Sequence, residues 1–247
     1  MACSFEFQKS DKEIEFFNNY VRNFGQYNVF TEKGWKKILG FFNYSVQSRR
    51  KGIIVDLGCG TGSLSGYLVK QGFRPIGIDI SSEAAKYAAK YLNGKSKFII
   101  GDIQHIPLRD DSCGVVILGA VLHHFPDFSK LAEEIYRVLK KGGSLFSFDP
   151  NKFNPIMWLY RDKKSPFYSK VGQTVNERLI TGNEIKNIFE KQGFTVETKG
   201  ISGITFRFLH EQKMKKLMPV YNACEILLGK TFFSKWIGSF IITWGRK

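Results

Sequence analysis

The sequence predicts an α/β protein, a doubly wound and mostly parallel seven-stranded sheet with helices on both faces. Three observations predict it. From Lys51 onward, short apolar runs alternate with helix-patterned segments joined by short loops, the rhythm of a parallel sheet. Runs such as "CGVVILGAVL" are apolar almost throughout, as strands buried on both faces must be. The first run, "GIIVDL", enters a turn with three glycines, Gly58, Gly60 and Gly62, where backbone can approach a ligand closely.

The elements follow in order. Residues 11–48 carry two amphipathic helical patterns broken around "NFGQYNVFTEKG", with Thr31 as the cap of the second and Trp35, Ile38, Leu39 and Phe42 at helical spacing. We expect residues 1–49 to form a helical cap and 50–247 the core domain. "GIIVDL" leads to the helix "SLSGYLVKQ", and "RPIGIDI" to "SEAAKYAAKYL". "KFIIGD" and "CGVVILGAVL" follow, then the helix "FSKLAEEIYRVLKK" and the strand "GSLFSFD". After Asp149 the rhythm fails, and residues of about 150–180 read as an insertion with three prolines. Order returns with the Thr-capped helix "TGNEIKNIFEKQGF" and the strand "TVETKG". A variable segment, 201–235, holds a helical pattern (Leu217, Val220, Tyr221, Cys224, Leu227, Leu228) before a closing strand, "GSFIITWGRK".

Composition narrows the class. The 247 residues are 43% hydrophobic and 24% charged, ordinary for a globular chain. Net charge is +15 and uneven: residues 1–150 hold 20 Lys/Arg against 15 Asp/Glu, and 151–247 hold 17 against 7. Such a surface suits anionic partners, although lysine-rich composition also serves solubility alone. The four cysteines form no CxxC pair, which excludes zinc-ribbon and disulfide-framework readings. The start lacks the apolar core of a secretory signal, and no 18-residue uncharged apolar run occurs, so a cytoplasmic protein without a transmembrane segment is expected.

Two ligand classes fail at the glycine turn. A P-loop needs GxxxxGK[ST], which is absent here. GxGxxG counted from Gly58 ends on Ser63, and from Gly60 on Ser65. "VDLGCGTG" instead resembles the glycine motif of class I S-adenosylmethionine-dependent methyltransferases, which have a Rossmann-like fold. The resemblance continues through Asp79 at the end of "RPIGIDI", Asp102 in "IIGDIQHIPL" and "GAVLHHFPDFSKLAEEIYRVLKKGGSLFSFDP", covering about residues 51–150. It implies a turn facing the cofactor's amino-acid portion, Asp79 on the ribose hydroxyls and Asp102 on the adenine amine. A carboxylate suits two adjacent hydroxyls because it accepts several hydrogen bonds. The implied lining is Tyr27, Asp56, Gly58, Cys59, Gly60, Gly62, Asp79, Ile80, Asp102, Ile103 and Gly119. Asp56 has a second reading, as a buried carboxylate holding the turn, and Cys59 reads as a packing residue rather than a nucleophile.

Methyl transfer from a sulfonium needs alignment and exclusion of water, plus a base where the acceptor must lose a proton. His123 and His124 follow the fourth strand and Asp149 closes the fifth, so a His/Asp base is expected there, with His123 the first choice of the two. "LHHF" also reads as structural, one ring packed under the helix and the other capping a loop. His105 reads as solvent-facing, and His210 is an acceptor-contact candidate. No metal-ligand cluster is evident after the fourth strand.

The resemblance is closest to small-molecule methyltransferases of the ubiquinone and menaquinone type. It implies an acceptor site made by the N-terminal helices, Glu13–Ser48, and the segment Pro150–Ile180, with help from Ile201–Lys235. There Phe153, Trp158, Tyr160, Phe167 and Tyr168 interleave with Lys152, Arg161, Lys163, Lys164 and Lys170. That lining suits a small-molecule or lipid-like acceptor with an anionic group, or peripheral contact with a membrane. The same interleaving suits RNA, so an RNA or tRNA methyltransferase is the second reading. A protein acceptor and a cofactor-binding protein without turnover are further readings.

Overall fold

The computed structural model describes residues 10–46, 52–170, 173–207 and 218–247. His210, Leu217, Cys3 and Lys51, all used above, lie outside the described residues. Strands β1 (Ile53–Leu57), β2 (Ile76–Asp79), β3 (Lys97–Ile100), β4 (Cys113–Gly119), β5 (Leu139–Pro150), β6 (Thr195–Ile201) and β7 (Phe240–Arg246) form one sheet. Its order is β3-β2-β1-β4-β5-β7-β6, with β7 antiparallel to both neighbours. Strand order reverses between β1 and β4, so a crevice opens at their carboxyl ends.

The helices are α1 (Ser10–Phe24), α2 (Glu32–Val46), α3 (Ser63–Lys70), α4 (Ser82–Leu92), α5 (Ser129–Val138), α6 (Pro155–Arg161), α7 (Gly182–Lys191), α8 (Met218–Leu228) and α9 (Ser234–Ile237). Short 3-10 turns run over Ile103–His105 and Leu122–His124. Alternation along β4 explains its unbroken apolar run. Val116 and Leu118 join Leu131, Ile135, Ile185 and Phe189 of α5 and α7 on one face. Val115 and Ile117 join Trp35, Ile38 and Phe42 of α2 and Leu64 of α3 on the other. Each such side chain, wholly buried, contributes about 1.5–3 kcal/mol.

Caps fix several helix starts, each contributing about 1 kcal/mol. Thr31 Oγ1 accepts from Gly34 N at 3.2 Å, Ser81 Oγ from Ala84 N at 3.1 Å, and Thr181 Oγ1 from Glu184 N at 3.2 Å. In the segment that reads as an insertion, Asn154 Oδ1 accepts from Met157 N at 2.9 Å and Pro155 opens α6.

Two expectations change. The helix "FSKLAEEIYRVLKK" stops at Val138, because Leu139 pairs with Cys113 and Leu139 to Lys141 join β5 across a register shift. Helix α8 does not bury its apolar stripe: Val220, Cys224 and Leu227 are exposed, while Met218, Tyr221 and Glu225 turn inward. Asn222 explains the orientation, donating to Phe206 O at 3.0 Å and accepting from Phe206 N at 2.9 Å.

Candidate active site

A cavity of about 240 Å³ opens at the carboxyl ends of β1 and β4. The glycine turn forms one wall. Gly58 N and Cys59 N both donate to Ile78 O, at 2.8 and 3.2 Å, pinning the turn to β2. Gly58 takes φ +65°, and a Cβ there would lie 2.7 Å from Val121 Cγ2. Gly60 takes φ +50° with open space where a Cβ would stand.

Asp79 closes β2 and braces that turn. Its Oδ2 accepts from Gly60 N at 2.7 Å and its Oδ1 from Ser81 N at 2.9 Å. A carboxylate has about four acceptor sites, so both oxygens keep capacity toward the cavity, which Asp79 lines. Burial pushes its carboxyl up, against the hydrogen bonds from Ser81 and Gly60. Asp56 lies beneath, its Oδ2 accepting from Ser65 Oγ at 2.7 Å, and burial raises it to about 7. Cys59 is buried, and burial raises its thiol well above the ordinary value, which removes the thiolate a nucleophile would need.

Asp102 stands across the cavity, with Oδ1 accepting from Gln104 N at 2.8 Å. Ile80, Ile103 and Gly119 complete this end. Tyr27 reaches the same cavity because Thr61 Oγ1 and Ser63 Oγ both donate to its carbonyl, at 3.3 and 3.0 Å, while its N–H donates to Thr61 Oγ1 at 2.9 Å. Burial pushes its phenol up. Gly62 does not line the cavity. It takes φ +78° as the residue before α3, and a Cβ there would meet Ala88 at 3.0 Å.

The far end of the cavity carries two histidines and the carboxylates around them. His123 Nδ1 lies 3.0 Å from Asp149 Oδ1, which also accepts from His123 N at 3.3 Å. Neighbouring β4 and β5 bring the two together. Asp149 is fully buried behind the ring and does not line the cavity. Burial pushes Asp149 up to about 8. Burial, then the charge of His124, pulls His123 well below its ordinary value. Burial thus acts against charge on both partners, and a proton gained or lost by one is felt by the other. With one proton, held at Nδ1 for Asp149, Nε2 presents a lone pair.

Sequence reasoning missed two carboxylates here. Glu13 of α1 is buried; its Oε2 lies 3.1 Å from His124 Nδ1, and its Oε1 accepts from Asn176 Nδ2 at 2.8 Å. Burial would raise Glu13, but the hydrogen bond and charge of His124 outweigh it and leave it lowered. Burial would lower His124, but Glu13 and Glu177 leave it raised. Glu177 lies 4.0 Å from His123 Nε2 and accepts from Arg161. Arg161 holds its carboxyl below the ordinary range despite burial. The signal for Glu13 was present: it sits four residues before Phe17, on the face that α1 turns inward. Glu177, in "TVNERL", carried no periodic signal.

His123, His124 and Glu177 offer ligand atoms within 4.8 Å of one another, a convergence that the sequence did not reveal. Asp149 and Glu13 engage the imidazoles, and Arg161 already neutralises Glu177. A dication there would have to displace that guanidinium, so the donor set fits proton handling better than metal binding. His105 is exposed on its 3-10 turn, 3.6 Å from Asp102.

The lining fits S-adenosylmethionine. Asp79 and Asp102 can accept from its ribose and adenine, and the open flank of Gly60 admits close approach. Residues 55–147 match a family model described as "Methyltransferase domain". The demethylmenaquinone methyltransferase of Lactobacillus johnsonii is 30% identical over 186 residues, 66% of this chain and 75% of that one. An Archaeoglobus fulgidus SAM-dependent methyltransferase structure superposes with a TM-score of 0.62 at 16% identity, covering 94% of this chain and 99% of that one. The Haemonchus contortus phosphoethanolamine N-methyltransferase 2 structure, in complex with S-adenosyl-L-methionine, gives 0.65 at 16% identity, covering 94% and 60%. The crevice, the braced glycine turn and these relatives agree: the chain belongs to the class I S-adenosylmethionine-dependent methyltransferases.

Proposed function

We propose that this methyltransferase acts on an apolar small-molecule or lipid-like acceptor whose hydroxyl or acidic carbon must lose a proton. The carrying observation is the 3.0 Å contact of His123 Nδ1 with buried Asp149 beside the cavity's far end. When bound, S-adenosylmethionine supplies a methyl group already activated as a sulfonium. His123 Nε2 would take the proton that the acceptor's oxygen or carbon gives up, and the bound donor would supply the methyl group that replaces it. Asp149 fixes the imidazole and stabilises its charge.

Met157, Tyr160, Phe206 and Phe240 line the far end, giving an apolar acceptor its surface. In this reading the helices before Gly52 and the 150–180 segment cover the acceptor and exclude water. Tyr27 and Ile80 join Asp79 and Asp102 in holding the donor. The demethylmenaquinone relative makes a prenylated quinol the first acceptor to try.

The test is methyl transfer from labelled S-adenosylmethionine to such a quinol, by wild type and by His123→Gln. At least a tenfold loss with unchanged S-adenosylhomocysteine affinity is expected, about the lower end of general-base contributions. Equal turnover would remove His123 from the reaction.

A further inference from the structure

The outer surface of the acceptor end is unlike the rest of the molecule. Ten of the sixteen exposed large apolar side chains among the described residues fall within residues 153–167 and 220–236. Helix α6 turns Met157 and Tyr160 to the cavity, whereas Trp158 and Leu159 are exposed, as is Phe153 before the helix. Helix α8 packs Tyr221 on Phe206, a cavity residue, with ring centroids 5.5 Å apart, while Val220 and Leu227 are exposed. Phe232, Phe233 and Trp236 follow at 67%, 61% and 50% exposure.

These elements are joined. Asn151 Nδ2 donates to Trp236 O and Gly238 O, both at 2.8 Å, and Asn154 Nδ2 donates to Ile237 O at 2.9 Å. The start of the α6 segment is thereby tied to α9. Charge on this face is predominantly positive, with Asp162 half-buried and Glu225 buried. Lys152, Lys163, Lys164, Lys170 and Lys230 are exposed, and neither stretch, 152–170 or 218–236, holds an exposed Asp or Glu. Lys235 Nζ lies over the rings of Phe232 and Trp236, 3.7 and 4.1 Å from their centroids, so a cation sits among the exposed aromatics.

We propose that the face formed by α6, α8 and α9 docks on the surface of an anionic phospholipid bilayer. Aromatic side chains would enter the headgroup boundary and the lysines would meet lipid phosphates, the combination that holds peripheral proteins at acidic membranes. A second protein copy would bring this face a matching excess of positive charge, which disfavours self-association through it. The inference concerns the outer surface and stands or falls separately from the identity of the acceptor.

The test is co-sedimentation of the whole chain with unilamellar phosphatidylcholine vesicles, with and without phosphatidylglycerol. Binding is expected only with phosphatidylglycerol and should weaken at least about fivefold from low to high salt. Phe232→Ser/Trp236→Ser should lose about tenfold or more of that binding, and Lys164→Glu/Lys230→Glu should lose it at low salt. Both variants should keep wild-type S-adenosylhomocysteine affinity, which reports an intact fold. Absence of wild-type binding at low salt, or equal binding by both variants, overturns the proposal. A wild-type dimer that Phe232→Ser/Trp236→Ser converts to monomer also overturns it, because the face would then be a protein interface.

Discussion

At the scale of single residues, two glycines of one turn have different duties. Gly58→Ala forces a Cβ to 2.7 Å from Val121 at φ +65°, so about 2 kcal/mol or more of stability should be lost, read as a lower denaturant midpoint. Gly60→Ala meets open space at φ +50° and should cost only about 1–2 kcal/mol of strain. It should instead weaken S-adenosylhomocysteine binding, because the methyl would stand at the cavity wall; calorimetry on both variants separates the effects. Asp79→Ala should weaken that binding sharply and also free the Gly60 amide. For the base, burial pushes the Asp149 carboxyl up to about 8, and the lone pair at Nε2 belongs to the form in which Asp149 is ionised and His123 holds its proton at Nδ1. Catalytic efficiency should therefore rise with pH through about 8, and Asp149→Asn should abolish that limb as well as lower turnover. Of these residues, Asp79 and the glycines were legible in the sequence because motif spacing marks them. Glu177 was not, because its partners Arg161 and His123 lie 16 and 54 positions away and only the fold brings them together.

At the scale of elements, α1 is held by buried polar contacts as much as by its apolar face. Asn18 Oδ1 accepts from Ser81 Oγ at 2.8 Å and from Glu83 N at 3.2 Å, tying α1 to α4. Glu13 meets His124 at the far end of the cavity. The pair's stabilisation has a defined pH window. His124 is raised from 6.5, so its part is fully present below 6.5 and is lost as pH climbs through the raised value. Glu13 is lowered from 4.5, so its part is present above 4.5 and is lost as pH falls through the lowered value. Protection factors of α1 amides, corrected for intrinsic exchange at each pH, should be largest between those limits and should fall at alkaline pH. Glu13→Gln should lower the protection factors at every pH in the window and flatten their alkaline fall. The strand and helix rhythm from β1 to β5 could be read directly, since β4 is apolar on both faces and each helix has a cap or a stripe. Helix α8 was legible as a helix but not in its orientation, because much of its apolar stripe faces outward while Asn222 and Tyr221 are set against Phe206.

At the scale of the whole molecule, the cavity has one end built from β1, β2 and β4, where we place the cofactor, and another built from α1, α6 and the chain around Glu177, where we propose the acceptor. The first end was readable because its chemistry lies in contiguous motifs. The second depends on contacts between segments over 100 residues apart, such as Glu13 with His124 and with Asn176. Among the described residues no helix is long and apolar enough to cross a membrane. His123 is proposed to act as base in the methylation of an apolar acceptor. The most direct test follows methyl label from S-adenosylmethionine into the lipid, small-molecule, RNA and protein fractions of a cell extract. Label in the lipid or small-molecule fraction with wild type, at least tenfold lower with His123→Gln, is the result this account predicts. Label concentrated in RNA or protein, or equal labelling by the variant, would contradict it.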